Sequence, residues 1–269
     1  MNHDEVVRNA ATRRNFLKGA GMAGIGITGA AIMGTSFGKN EQKVEAASYS
    51  DTDILNFALN LEYLEAEFYS MATYGATLVQ LGVITAAETS GPTTGGQRVP
   101  NFSGSPEAYL ATALRDTEIA HVMYLRSALG SYAVKKPAIN LNALGYGFWN
   151  VASWLKLARQ FEDVGVSAYL GALPMITSSA YVSAGGAIGL TEAQHSGAIR
   201  MSCIINGVVS PAVDSLDIPP TSQNVFDVDK NALSIPRTAA QVLNIVYAGG
   251  NCSGGFYPNG MNGAVVCKS

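Results

Sequence analysis

Charge is scarce in this chain of 269 residues: Asp, Glu, Lys and Arg make up 14% of it, against roughly 25% in ordinary soluble domains. The net charge is -3, and no basic cluster follows the first forty residues. A nucleic-acid surface needs a basic stripe, so nucleic acid is excluded as a partner class. So little surface charge also fits a face covered by a second subunit, which leaves a homo-oligomer open. Histidine is rarer still. There are 3 in all, and only His121 and His195 follow residue 46. Cysteine is limited to Cys203, Cys252 and Cys267. Cys203 falls in an apolar helical pattern and reads as a buried thiol. Cys252 and Cys267 flank a Gly-rich tail and either pair or stay separate. A bridge there closes a loop of about 15 residues, worth roughly 3 kcal/mol on the chain-entropy account.

A long hydrophobic run is also missing. The apolar stretch from Gly19 to Gly34 is short and glycine-rich, whereas a membrane-spanning helix needs about 20 apolar residues. What precedes it is Arg13-Arg14-Asn15-Phe16-Leu17-Lys18, a twin-arginine signature, and Val44-Glu45-Ala46 follows as a small-residue cleavage site. Residues 1–46 therefore read as a signal peptide, with the twin-arginine export machinery as a partner. The mature protein is then periplasmic or extracellular, in an oxidising compartment. Twin-arginine export carries folded cargo, often with its cofactor loaded, so a metalloprotein is a natural passenger.

Four segments of the remaining chain have helical periodicity. The first spans about Asp53–Leu81, with Leu55, Ala58, Glu62, Glu65 and Tyr69 on one stripe. The second spans Ser105–Leu129, with Pro106 at its first turn and Gly130 as its stop. Leu114, Glu118, His121 and Leu125 share its inner stripe. The third spans Phe148–Leu173, ended by Pro174, with Leu155, Ala158, Glu162 and Tyr169 on one face. The fourth starts near Leu190 with Thr191 as cap, runs to about Val209, and carries Glu192, His195 and Ile199. A Gly-, Pro- and Thr-rich loop, 82–104, separates the first two. A polar, Pro-rich stretch, a short helix near Thr238–Tyr247 and an irregular Gly/Asn-rich tail complete the chain. The expected organisation is an antiparallel four-helix bundle over 47–210, with a C-terminal extension over 211–269 packed on it.

The inner stripes carry the chemistry. Residues at i and i+3 of a helix point the same way, and a bundle core binds two metal ions with one Glu from each of two helices and Glu-x-x-His from each of the other two. That inventory is present as Glu62, Glu118 with His121, Glu162, and Glu192 with His195. After residue 46, Glu occupies about one position in 28. Both histidines following Glu at i−3 is then roughly a one-in-800 coincidence. Buried carboxylates also need neutralising, and the inner faces offer too few Lys or Arg, so divalent cations are expected. Glu62 is followed seven residues later by Tyr69, and Glu162 by Tyr169, and each is then followed by a helix with Glu-x-x-His. The order Glu…Tyr…Glu-x-x-His, used twice, is a half-site repeat of the kind a symmetric dinuclear centre requires. Glu65, one turn beyond Glu62, is an alternative ligand, a bridge or a supporting residue. Tyr69 and Tyr169 are candidates for hydrogen bonds to ligand carboxylates or for electron relay, and equally for ordinary core tyrosines. Mixed Glu/His ligation favours iron or manganese over structural zinc.

Over residues 53–210 this pattern resembles the ferritin-like superfamily of ferritins, bacterioferritins, rubrerythrins and manganese catalases. The tail segments Pro236-Arg237-Thr238, Val242–Tyr247 and Gly255-Phe256-Tyr257-Pro258-Asn259-Gly260 are similar to secreted ferritin-like proteins called desiccation-related. The resemblance implies an all-α bundle holding two Fe or Mn ions. It implies redox chemistry on O2, peroxide or Fe(II) in stress protection, of ferroxidase, peroxidase or catalase type. The alternative it implies is a non-catalytic desiccation protein with at most a structural metal. The long insertion and tail depart from cage-forming ferritins.

Overall fold

The computed structural model describes residues 49–102 and 104–266. The expected signal peptide, with Arg13 and Arg14, lies outside the described residues, as does Cys267 and with it the pairing of Cys252.

Helix α1 spans Asp51–Tyr74. Ser50 begins it with a capping box: the Ser50 hydroxyl accepts from the Asp53 N–H at 3.2 Å, and the Asp53 carboxylate accepts from the Ser50 N–H at 3.0 Å. The helix stops at Gly75, which takes φ 70°, well before the expected Leu81. The apolar spacing continues past Gly75, but the left-handed glycine closes the helix. The chain then folds back so that the Leu78 N–H donates to buried Glu67 at 3.2 Å. Helix α2, Pro106–Leu129, is capped by Ser105 and ends at Gly130. Helix α3, Val151–Ala172, is capped by the Asn150 side chain, which accepts from the Ser153 N–H at 2.8 Å.

Helix α4 spans Ser179–Ile205, so it begins a full three turns before the Leu190 expected. Thr191 is not its cap; its hydroxyl donates to the Ala187 carbonyl inside the helix at 3.2 Å. Gly185, Gly186 and Gly189 make the early part read as a break, yet packing holds it helical. At Gly189 a Cβ would sit 3.1 Å from that of Tyr169, so the glycine lets α4 close against α3. Helix α5, Ala239–Val246, is capped by Thr238 with Gln241.

Side-chain contacts give the helix directions. The Asn56 amide near the start of α1 reaches the Tyr132 carbonyl beyond the end of α2, while Thr73 near the end of α1 meets Arg115. Leu155, Asp163 and Tyr169 on α3 meet Cys203, Ser196 and Gly189 on α4, in reverse order. Tyr69 reaches Glu162 as Tyr169 reaches Glu62, and Glu107 meets Asn206 while His121 meets Glu192. Every packed pair is thus antiparallel, and α2 and α3 run the same way. Residues 130–150 form the long crossover that such a bundle requires, a connection the periodicity does not reveal. The crossover is tied to the α1–α2 loop by a two-residue parallel pair, β1 (Thr93–Thr94) with β2 (Ile139–Asn140). Hence the 82–104 insertion is anchored: besides β1 it holds a 3-10 turn at Ala86–Glu88.

The core is aromatic where α1 meets α3. Phe68 makes edge-to-face contacts with Tyr69, Phe148 and Phe161 at 5.0–5.3 Å. A separate buried network binds α3, α4 and the chain after residue 210. Arg159 donates to Asp217 at 2.6 and 2.7 Å, and Arg200 donates to Asp163 at 2.6 Å. Asp163 is therefore spent on arginines rather than on the Glu/His cluster. The tail is packed on the bundle: the Arg237 N–H donates to the Ser167 carbonyl at 3.0 Å, and the Tyr257 hydroxyl to the Asn60 carbonyl at 2.7 Å. Cys203 is buried, and burial pushes its thiol up to about 12. Among the described residues no helix is long and apolar enough to cross a membrane.

Candidate metal centre

Each of the four long helices turns one stripe toward the middle of the bundle, and the acids on those stripes are fully enclosed. Glu62, Glu118, Glu162 and Glu192 are all 0% exposed. His121 and His195 lie beside them with rings 6.1 Å apart and nearly parallel. The His121 Nδ1 lies 3.1 Å from Glu62, 3.1 Å from Glu118 and 3.3 Å from Glu192. The His195 Nδ1 lies 2.8 Å from Glu118 and 3.3 Å from Glu162. One ring N–H cannot serve three carboxylates, and His195 Nδ1 makes no hydrogen bond at all despite these approaches. His121 Nδ1 is in hydrogen-bond reach of Glu62 and Glu118 at once, and more carboxylate oxygens gather here than the two rings can serve, which is the donor set of a cation.

Two donor groups result: Glu62, Glu118, His121 and Glu192, and Glu118, Glu162, Glu192 and His195. The structure thus brings together all six residues selected from spacing. It divides them in a way that spacing leaves open. Glu118 and Glu192 stand in both groups, so each spans the two halves, while Glu62 and Glu162 belong to one half each.

Tyr69 and Tyr169 are buried and each bonds to a carboxylate of the cluster. The Tyr69 hydroxyl donates to Glu162, and the Tyr169 hydroxyl donates to Glu62. Each tyrosine therefore steadies the carboxylate of the other half. Burial, then the carboxylate each one faces, drives both phenols well above their ordinary range, so they stay protonated donors.

The electrostatics show a site short of positive charge. Burial and the Glu118 charge push Glu62 up to about 7. Burial also pushes Glu118 up, but the two histidines outweigh it and hold that carboxyl at about 2. Burial and neighbouring carboxylates hold Glu192 well above the usual range. Burial pushes His195 down, yet Glu118 and Glu162 raise it to about 11, and Glu118, Glu192 and Glu62 raise His121 further. Protonated imidazoles stand in for cations and do not suffice. Both oxygens of Glu192, with Glu118 Oε1 and Glu162 Oε2, have no hydrogen-bond partner, an arrangement that costs several kcal/mol unless a cation is bound. Carboxylate oxygens with imidazole nitrogens are the donor set that iron and manganese accept, so these residues fit two such ions.

Glu65 belongs to neither donor group. It is 4% exposed, and burial followed by Glu192, Glu118, Glu162 and Glu62 raises its carboxyl well above the usual range. It faces Gly165, whose importance spacing does not disclose. A Cβ on Gly165 would lie 2.7 Å from Glu192 Oε2 and 3.3 Å from Glu65 Oε1. The signal was present in the repeat: Glu62 matches Glu162 and Tyr69 matches Tyr169, so Glu65 matches Gly165. An acid opposite a glycine breaks the symmetry at the centre itself. In a third acidic group, Asp163, Asp217 and Asp227, Asp217 is paired with Arg159 and Asp163 with Arg200.

Residues 50–203 match the family model for the ferritin-like domain. A curated relative, the ferritin-like catalase Nec2 of Nesocodon mauritianus, is 24% identical over 81% of this chain and 85% of its own length.

Proposed function

This chain belongs to the ferritin-like domain family, and from that premise we propose that it is an exported dinuclear iron or manganese carboxylate protein that breaks down peroxide. The observation that carries the reading is the set of fully buried carboxylates whose oxygens lack protein partners. In this reading Glu62 and His121 would hold one ion and Glu162 and His195 the other, with Glu118 and Glu192, which stand in both donor groups, available to either. Tyr69 and Tyr169 keep Glu162 and Glu62 aimed at the centre by donating to the oxygen each turns away from it. Two redox-active ions bound there would supply two-electron redox chemistry, enough to reduce one peroxide to water and to oxidise a second to O2. The catalase named above supports peroxide as the substrate over O2 or Fe(II). The paired arginines at Arg13 and Arg14 support export of a protein folded around its metals, into a compartment where peroxide stress is met.

The test is reconstitution of the mature chain with Fe(II) or Mn(II), elemental analysis, and O2 release from hydrogen peroxide. Two ions per chain and gas release above that of free metal are expected. Fewer than one ion per chain sinks the centre. Two ions with no turnover, and a large loss of thermal stability on chelation, instead assign the fold to a non-catalytic stress protein.

A further inference from the structure

Beside the centre lies a cavity of about 400 Å³, formed by α1, α3, the crossover and the chain after residue 210. An apolar cavity of roughly 150 Å³ already holds benzene, and small-molecule sites run from about 300 to 1,000 Å³. Its walls are largely apolar, with Leu61, Leu64, Phe161 and Ile245 among them, and no Lys, Arg, His or Asp lines it. Three polar side chains besides Glu65 line it: Tyr146 donates to Gln160 at 2.9 Å, Gln160 donates to the Pro211 carbonyl at 3.0 Å, and Asn244 stands exposed at the rim. Glu65 is different: it lines the cavity, is almost wholly buried, and faces the bare backbone of Gly165. Behind it the wall is Gly165, which has no side chain to separate the cavity from Glu192.

We propose that this cavity binds a neutral organic molecule with an apolar body and one hydroxyl-type head, as in an alcohol, a phenol or a hydroperoxide, and that Glu65 receives the head. The lining excludes the other candidates. A hydrated divalent ion loses too much solvation along apolar walls, and an organic anion finds no cation to meet it. The body fills the space between Leu64, Phe161 and Ile245, and the head lies at Glu65, against the Gly165 backbone. Binding needs no metal. The proposal rests on the peroxide reading only for the consequence that a bound hydroperoxide is placed next to Glu192.

The experiment is calorimetric titration of cumyl alcohol, the unreactive analogue of a hydroperoxide, and of cumene, the same body without the head, into metal-free and metal-loaded protein. Saturable one-to-one binding of cumyl alcohol is expected in both forms. Ala212→Trp, at an exposed lining position away from the centre, should weaken it by about tenfold or more by filling the space, with metal content unchanged. Glu65→Leu should weaken cumyl alcohol but not cumene, and Glu65→Gln should restore much of the loss. No saturable binding, or undiminished binding by a folded Ala212→Trp variant, overturns the proposal. Metal content and O2 release from hydrogen peroxide on the same preparations test the peroxide reading separately.

Discussion

A Gly165→Ala substitution puts a methyl group at the point where α3 faces two carboxylates. Gly165 lies inside α3 without a positive φ, so the backbone accepts alanine and gains about 1 kcal/mol of helix propensity. The conflict is with the side chains. The new Cβ would lie 2.7 Å from Glu192 Oε2, where ordinary contact begins at 3.4 Å, so the oxygen must retreat by about 0.7 Å. Metal–oxygen distances hold to roughly 0.2 Å. A ligand displaced this far weakens binding by at least about tenfold, or 1.4 kcal/mol. Since Glu192 stands in both donor groups, both ions should loosen together. The expected result is a metal-free protein with an unchanged or slightly higher Tm that loses both ions to a chelator far sooner than wild type. Thermal melts with and without metal, and elemental analysis after graded chelation, measure this. A folded Gly165→Ala protein that keeps both ions at wild-type affinity would refute the argument that Gly165 makes room for Glu192.

The double variant His121→Ala, His195→Ala should lose most bound metal while the bundle stays helical by circular dichroism, since each ring stands in only one donor group. Tyr169→Phe removes the hydroxyl bonded to Glu62; a hydrogen bond to a charged group is worth about 1.5–3 kcal/mol, so affinity at the Glu62–His121 half should fall roughly tenfold, read by stepwise metal titration. Metal uptake at pH 7 should release protons, because His195 titrates near 11 and His121 higher in the metal-free protein, and both rings must deprotonate to bind; titration calorimetry in buffers of differing ionisation enthalpy counts them. Stability of the metal-free protein depends on pH in the opposite sense. The folded-state histidines sit above their ordinary value of 6.5, so their stabilisation is complete below about pH 6.5 and is lost as pH rises toward 11, which melts across that range would show. Arg200→Met leaves Asp163 short of its nearest cation and frees three backbone carbonyls that Arg200 holds, at Val225, Ile218 and Asn224; breaking a buried pair costs about 3–5 kcal/mol, so Tm should drop by several degrees with metal content unchanged.

Local spacing carried most of the centre. Glu62, Glu118, His121, Glu162, Glu192 and His195 are legible in the chain because offsets of three, four and seven residues decide which side chains share a helix face. Ser105, Gly130 and Thr238 likewise mark helix ends, because capping is a contact between residues three or four apart. The early part of α4 was not legible, since its three glycines read as a break and only the packing of Gly189 against Tyr169 makes them an asset.

What the sequence determined by itself, then, is the donor inventory and its twofold repetition. What only the tertiary structure decided is how the halves are joined. Because α1 and α3 lie antiparallel, Tyr69 meets Glu162 and Tyr169 meets Glu62, each tyrosine serving the opposite half. Because α2 and α4 also lie antiparallel, Glu118 and Glu192 meet between the two histidines and are shared. The cavity at Glu65 and the opening left by Gly165 likewise arise from α3 and the C-terminal chain closing over α1. Spacing fixes direction around one helix axis; which axes become neighbours depends on burial summed over the whole fold.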